Sequence, residues 1–129
     1  MIQHVIRLKL RDPGEPDDAE RVLEAMRMLA GLESVSAGFV GLNVRGSGEY
    51  ELGAVLSIAD EAAFERYLYD PVHFEVDDVV RPRIAAVESF DLADGPDPDI
   101  GERLARLART REENEAHRLP DLDAPEVEP

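Results

Sequence analysis

Residues 66–76, RYLYDPVHFEV, set Tyr67 and His73 on either side of an Asp-Pro pair, and another histidine, His4, stands near the N-terminus. Histidine and tyrosine together can move protons. A neutral imidazole can take a proton from carbon beside a carbonyl, because its unperturbed pKa, about 6.5, lies near working pH. A phenol hydroxyl can donate to the carbonyl oxygen as that oxygen gains charge. The same residues also have a packing role open to them. Tyr67 shares an apolar helical stripe with Phe64 and Leu68, His4 lies on the apolar face of a strand, and His73 can tie a helix to a turn.

The Asp-Pro pair decides where His73 stands. The residue before a proline is pushed out of the helical region, so one helix ends there. Aspartate as cap and proline at the first helical position begin the next. His73 therefore belongs to the first turn of the new helix, where the dipole disfavours the imidazolium. Asp77, one turn later, is spaced to hold the other ring nitrogen and opposes that effect.

The elements that must position these groups follow from periodicity. Residues 2–10, IQHVIRLKL, alternate, with Ile2, His4, Ile6, Leu8 and Leu10 on one face and Gln3, Val5, Arg7 and Lys9 on the other. That is a strand. Asp17 or Asp18 caps a helix over 17–30 that stops at Gly31. Strands are predicted over 35–44 and 50–58, joined by RGSGE, and a last strand over 85–92. Between them lie a helix capped by Asp60 and the helix that Pro71 opens. The order strand, helix, strand, strand, helix, strand predicts an α+β fold, a ferredoxin-like βαββαβ protomer over residues 1–93. Its helices cover one face of the sheet, and two bare faces meeting would close a dimeric α/β barrel, a homodimer. Residues 94–129 are predicted as a linker, ADGPDPD, an amphipathic helix at about 100–117 and an acidic, proline-rich tail. His117 lies on the charged part of that helix.

Composition narrows the function. The chain has 129 residues and a net charge of −15, from 29 acidic and 14 basic residues, which argues against nucleic acid and anionic membranes as partners. With no cysteine there is no disulfide and no thiolate chemistry. No apolar run reaches the roughly 18 residues of a membrane span, and the start lacks the apolar core of a secretory signal, so a soluble cytoplasmic protein is expected. Three histidines without ligand spacing give no zinc site, GFVGLNVRGSG lacks the Lys-Ser/Thr of a phosphate loop, and Ser47 has no base beside it.

Two stretches resemble a known family. MIQHVIRLKLRD and DEAAFERYLYDPVHFEVDDVVRPRIAAVESFDL, the latter with a Tyr, an Asp-Pro and a His leading into a helix and final strand, are similar to the stress-responsive α/β-barrel (Dabb) domain proteins. The resemblance implies a homodimer joined through its sheets, and a pocket. In a few plant and microbial relatives, polyketide cyclases without metal or cofactor, the His matching His73 is the general base and the Tyr matching Tyr67 positions or polarises the substrate. A first-strand His matching His4 lines the same pocket, and the plant cyclases place another His near where this chain has Leu52, which puts Leu52 at the substrate wall. The expectation is a small cofactor-free cyclase or isomerase of polyketide-like or phenolic compounds. A non-catalytic, stress-responsive or ligand-binding barrel protein is the other reading.

Overall fold

In a computed structural model, residues 1–46 and 48–127 are described, with side chains through Asn114; Ser47, the side chain of His117 and the last two residues of the acidic tail lie outside the described residues. The elements are β1 (Ile2–Leu10), α1 (Asp18–Ala30), β2 (Ala37–Leu42), β3 (Leu52–Ile58), α2 (Glu61–Tyr69), α3 (Pro71–Val80), a 3₁₀ turn (Arg81–Arg83), β4 (Ile84–Ala93) and α4 (Ile100–Val127). They form two compact units, Met1–Pro96 and the chain from Asp97 on.

In the first unit the strands form one antiparallel sheet in the order β2-β3-β1-β4. This is the ferredoxin-like arrangement expected from the order of elements. The alternation in β1 sorts its side chains as predicted. Ile2, His4, Ile6 and Leu8 are buried on the face that carries the helices, together with Leu52, Ala54, Leu56 and Ile58 of β3. Val22, Ala25, Met26 and Leu29 of α1, Phe64 and Leu68 of α2 and Val76 and Val80 of α3 complete this core.

The opposite face of the sheet is open. Register places Phe39, Val55, Val5 and Phe90 side by side across all four strands on that face. Phe39 and Phe90 are 71% and 46% exposed. The next row carries Arg7, which pairs with Glu88 on β4 and lies 4.7 Å above the Tyr50 ring.

Local chemistry accounts for most boundaries. Asp60 accepts from the Ala63 N–H at 2.9 Å and Asp70 from the Val72 N–H at 2.9 Å, so both predicted caps form. β2 is shorter than the expected 35–44, because the Val35 N–H closes a turn onto the Leu32 carbonyl and the ladder begins only afterwards. Gly38 of β2 is pressed against α1: a Cβ there would stand 2.6 Å from the Ala30 Cβ, so this position has no room for a side chain. In the second unit, α4 continues past the expected end near 117 to Val127. Pro120 and Pro125 each lack an N–H, so that continuation has fewer backbone bonds to draw on than the first turns. Within those first turns Arg103 pairs with Asp97, and Arg106 lies 3.8 Å from Glu102.

The start of α1 departs from expectation. Neither Asp17 nor Asp18 caps the helix with its side chain. Asp17 faces Arg21 at 2.8 Å. Asp18 is 4% exposed and turns to the end of β1, where Arg11 donates to both its oxygens at 2.8 and 3.0 Å and the Glu15 N–H donates at 2.9 Å. A charge-assisted, two-pronged guanidinium outweighs a single backbone cap. These hydrogen bonds, the Arg11 one first, hold the Asp18 carboxyl below the usual carboxylate range despite its burial. The carboxylate form therefore stabilises the folded chain above an unfolded pKa of about 3.9, and that contribution is lost as pH falls through the lower folded value. Asp18→Asn is expected to lower the urea midpoint at pH 7 and to shrink the further drop between pH 5 and pH 2.5, as followed by circular dichroism.

Candidate functional site

Three of the residues singled out from the sequence meet on the helix-covered face of the sheet. β1 brings His4, α2 brings Tyr67 from its last turn, and α3 brings His73 from its first. All three are buried, Tyr67 being 1% exposed. The His4 and Tyr67 rings lie 5.4 Å apart between centroids, and the Tyr67 and His73 rings 4.5 Å. Phe64, one helical turn before Tyr67, stands edge-on to His4 at 5.5 Å and closes the group.

The helix break does what its sequence requires. Asp70 turns the chain out of α2 and caps α3, so that His73 folds back over the preceding helix end. Its Nδ1 lies 2.9 Å from the Tyr67 backbone carbonyl. A carbonyl only accepts, so Nδ1 carries a proton. The other ring nitrogen, Nε2, faces Asp77 Oδ1 at 3.7 Å, and Asp77 in turn faces Arg81 at 3.7 Å.

His4 has a partner that spacing along the chain does not reveal. β1 and β4 pair so that His4 lies directly across from Asp91, and its Nδ1 is 2.7 Å from Asp91 Oδ1. The carboxylate accepts, so Nδ1–H is the donor and, in the neutral ring, the lone pair is on Nε2. This carboxylate–imidazole pair fixes the orientation and tautomer of the ring. The Asp91 side chain is 26% exposed, which puts the pair at the margin of the core. The only sign in the sequence is an acid on the inward phase of β4, with Val87 and Ser89.

Leu52 is not part of the cluster. It is buried in the row Leu42–Leu52–Leu8, four residues along β3 from the Leu56 that faces His4, roughly 13 Å at strand spacing. His4, Tyr67 and His73 line neither of two surface cavities found among the described residues. One of about 510 Å³ lies between the loop after β1 and the β2–β3 hairpin, with Lys9, Arg11, Glu15 and Glu51 on its walls. The other, about 210 Å³, is on the open face over Gly41 and Gly53. Among the described residues no group of three His, Asp or Glu side chains could hold a metal, and no helix is long and apolar enough to cross a membrane.

The family model for the stress responsive A/B barrel domain (Dabb) matches residues 2–94. No curated protein matches the chain. Among solved structures, a dimeric ferredoxin-like protein of unknown function from Thermobifida fusca is similar with a TM-score of 0.64 at 23% identity, over 72% of this chain and 90% of that one. A Dabb family protein with a ferredoxin-like fold from Mesorhizobium loti gives 0.63 at 23% identity, over 73% and 96%. A hydroxynitrile lyase from Passiflora edulis gives 0.64 at 9% identity, over 74% and 94%.

Ring packing and the phenol hydroxyl of this cluster can be tested apart. Phe64→Ala deletes a fully buried ring and is expected to lower unfolding free energy by about 3–5 kcal/mol. Tyr67→Phe keeps the ring contacts and is expected to cost about 1 kcal/mol. Urea unfolding of the two variants against the parent checks both.

Proposed function

Because the chain belongs to the stress responsive A/B barrel domain (Dabb) family, we propose that it is a homodimeric small-molecule enzyme whose acid–base group is His4. The observation that carries this is the 2.7 Å contact between His4 Nδ1 and Asp91, beside Tyr67. Nε2 of His4 takes a proton from the carbon next to a substrate carbonyl. Asp91 steadies the imidazolium that forms, and the Tyr67 hydroxyl donates to the oxygen that gains charge. The resulting carbon nucleophile attacks a second carbonyl of the same molecule. The imidazolium then returns its proton to the new alkoxide, so the ring closes without a net change in protons. This sequence needs no cofactor, and it suits linear polyketide-like or phenolic compounds. The hydroxynitrile lyase that shares the fold supports the idea that such a scaffold can carry small-molecule chemistry.

A non-catalytic, ligand-binding role is the second reading. The nearly complete burial of Tyr67, and the use of His73 to bind the Tyr67 carbonyl, favour it.

The dimer places two open faces together. The apolar row Phe39–Val55–Val5–Phe90 needs cover, and its exposed rings are unusual on a lone soluble protein. The strands also put little charge on that face: Arg7 and Glu88 neutralise each other and Lys9 adds one cation, on a chain of net charge −15. Like-charge repulsion between copies is therefore least where they meet. That the Thermobifida protein of the same fold is dimeric supports pairing of two copies.

Two experiments test these readings. Linear β-polyketide thioesters incubated with the protein are expected to give cyclised product by mass spectrometry. His4→Ala is expected to lower turnover about 100-fold or more, and Asp91→Asn by less. Parent-level turnover in His4→Ala would remove the assignment. Sedimentation is expected to give twice the chain mass for the parent and a monomer for Phe39→Asp/Phe90→Asp; a monomeric parent refutes the pairing.

A further inference from the structure

The open face of the sheet carries a pattern that fits its own copy turned around. Register sorts its side chains into rows that cross the strands in the order β2-β3-β1-β4. The apolar row reads Phe39, Val55, Val5, Phe90, the same residue types in either direction. The next row reads Gly41, Gly53, Arg7, Glu88. Its glycine half has no side chains and floors the cavity of about 210 Å³. Its other half stands up, because Arg7 is held both by Glu88 and over the Tyr50 ring. A recess therefore lies beside a raised, neutralised ion pair.

The row beyond carries unlike charges. Lys9 lies on β1 across from Ala86. Glu51 keeps the phase of Gly53 and Val55, and its backbone carbonyl accepts from the Asn43 N–H at 2.8 Å, so the ladder reaches this far. Its Oε1 accepts from the Leu10 N–H at 2.9 Å, which holds the carboxylate at the edge of β1.

We propose that a second copy of this chain seats on this face with the two-fold axis running along the strands, between β3 and β1, so that each row meets itself reversed. The proposal rests on the homodimer reading and adds to it the orientation of the partner and the residues of self-recognition. Stacked sheets lie about 10 Å apart with strand directions about 30° from aligned, so the match is closest near the axis. Phe39 faces the partner's Phe90, and Val55 the partner's Val5. The recess over Gly41 and Gly53 receives the partner's Glu88 and Arg7, which enter as a pair, so that neither charge is buried alone. Lys9 faces the partner's Glu51. An isologous interface makes each of these contacts twice.

Charge and shape select this axis over the alternative. A two-fold across the strands lays every strand over its own copy, wherever along the strands it is placed. The open side of β1 carries Gln3, Val5, Arg7 and Lys9, with no acid, and that of β3 carries Glu51, Gly53, Val55 and Ser57, with no cation. Lys9 then never meets a carboxylate, and the glycines of β2 and β3 never meet the raised pair on β1 and β4. The axis along the strands satisfies both at once.

The test mixes two charge variants of the full-length chain, one of them isotopically labelled, and reads the dimers by native mass spectrometry and sedimentation. Lys9→Glu puts acids at both positions of the charged row, and Glu51→Lys puts bases at both. Each alone is expected to dimerise about tenfold more weakly than the parent, and the mixture to favour heterodimers well beyond the half share of random pairing. Like charges side by side within one chain persist in the heterodimer, so its excess reports contacts between copies. Net charge alone predicts the opposite for Glu51→Lys, which brings the chain of −15 closer to neutrality. Gly41→Val fills the recess and leaves the charges alone. Its Cβ meets only the end of the Phe39 ring, at 3.1 Å, which can turn aside. It is expected to weaken the dimer about tenfold, where a face that merely buries apolar area would bind as well or better. Random pairing in the mixture, or a Glu51→Lys or Gly41→Val chain that dimerises as tightly as the parent, overturns the proposed orientation. A monomeric parent refutes the homodimer and this proposal together, whereas a dimeric parent whose variants pair at random refutes the orientation alone.

Discussion

β1 is paired on both sides, to β3 and to β4, over nearly its whole length. Its backbone has no freedom left to shift register, and a slip of one residue would exchange its two faces entirely. That constraint places His4 under the helices and Val5 and Arg7 on the open side. The core, the candidate site and the bare surface are all consequences of one alternating strand held in the middle of a sheet. Edge strands could not do this: β2 and β4 are paired on one side only, and much of what they carry is exposed.

The candidate site is an assembly of two local features and one distant one. The local features are the double helix cap at Asp70-Pro71, which folds His73 back on Tyr67, and the one-turn spacing of Phe64 and Tyr67. Both could be read from the sequence because capping and helical periodicity act over a few residues. The distant feature, Asp91 against His4, joins positions 87 apart. It depends on the register between the first and last strands, and nothing in a single strand's pattern states its register to another. For the same reason Leu52, placed near the pocket by likeness to plant cyclases, falls in a different row of the sheet. The start of α1 misled in another way. Two adjacent aspartates look like caps, but a guanidinium at the end of β1 competes for Asp18 and wins, and that competitor lies outside the local window.

The arrangement also gives three buried titratable side chains a defined neighbour. His4 has Asp91, His73 has Asp77 and the Tyr67 carbonyl, and Asp18 has Arg11. Leaving any one of them alone would expose the full cost of burying a polar group. The pairs differ in what they hold fixed. Asp18–Arg11 fastens a helix to a strand end. The two histidine pairs fix tautomers, and a fixed tautomer is what turns a packed ring into a directional donor or acceptor.

For the proposed homodimer, the near-neutral open face has a kinetic meaning as well. Two copies of a strongly anionic chain repel at long range, and only orientations that bring the sheets together lessen that penalty. Diffusional encounters are thereby filtered by orientation. Added electrolyte, which shortens the screening length to about 10 Å at 0.1 M, speeds assembly more than it changes how firmly the joined faces hold. Acidity elsewhere on the surface acts as a gatekeeper, and the bare sheet is the door.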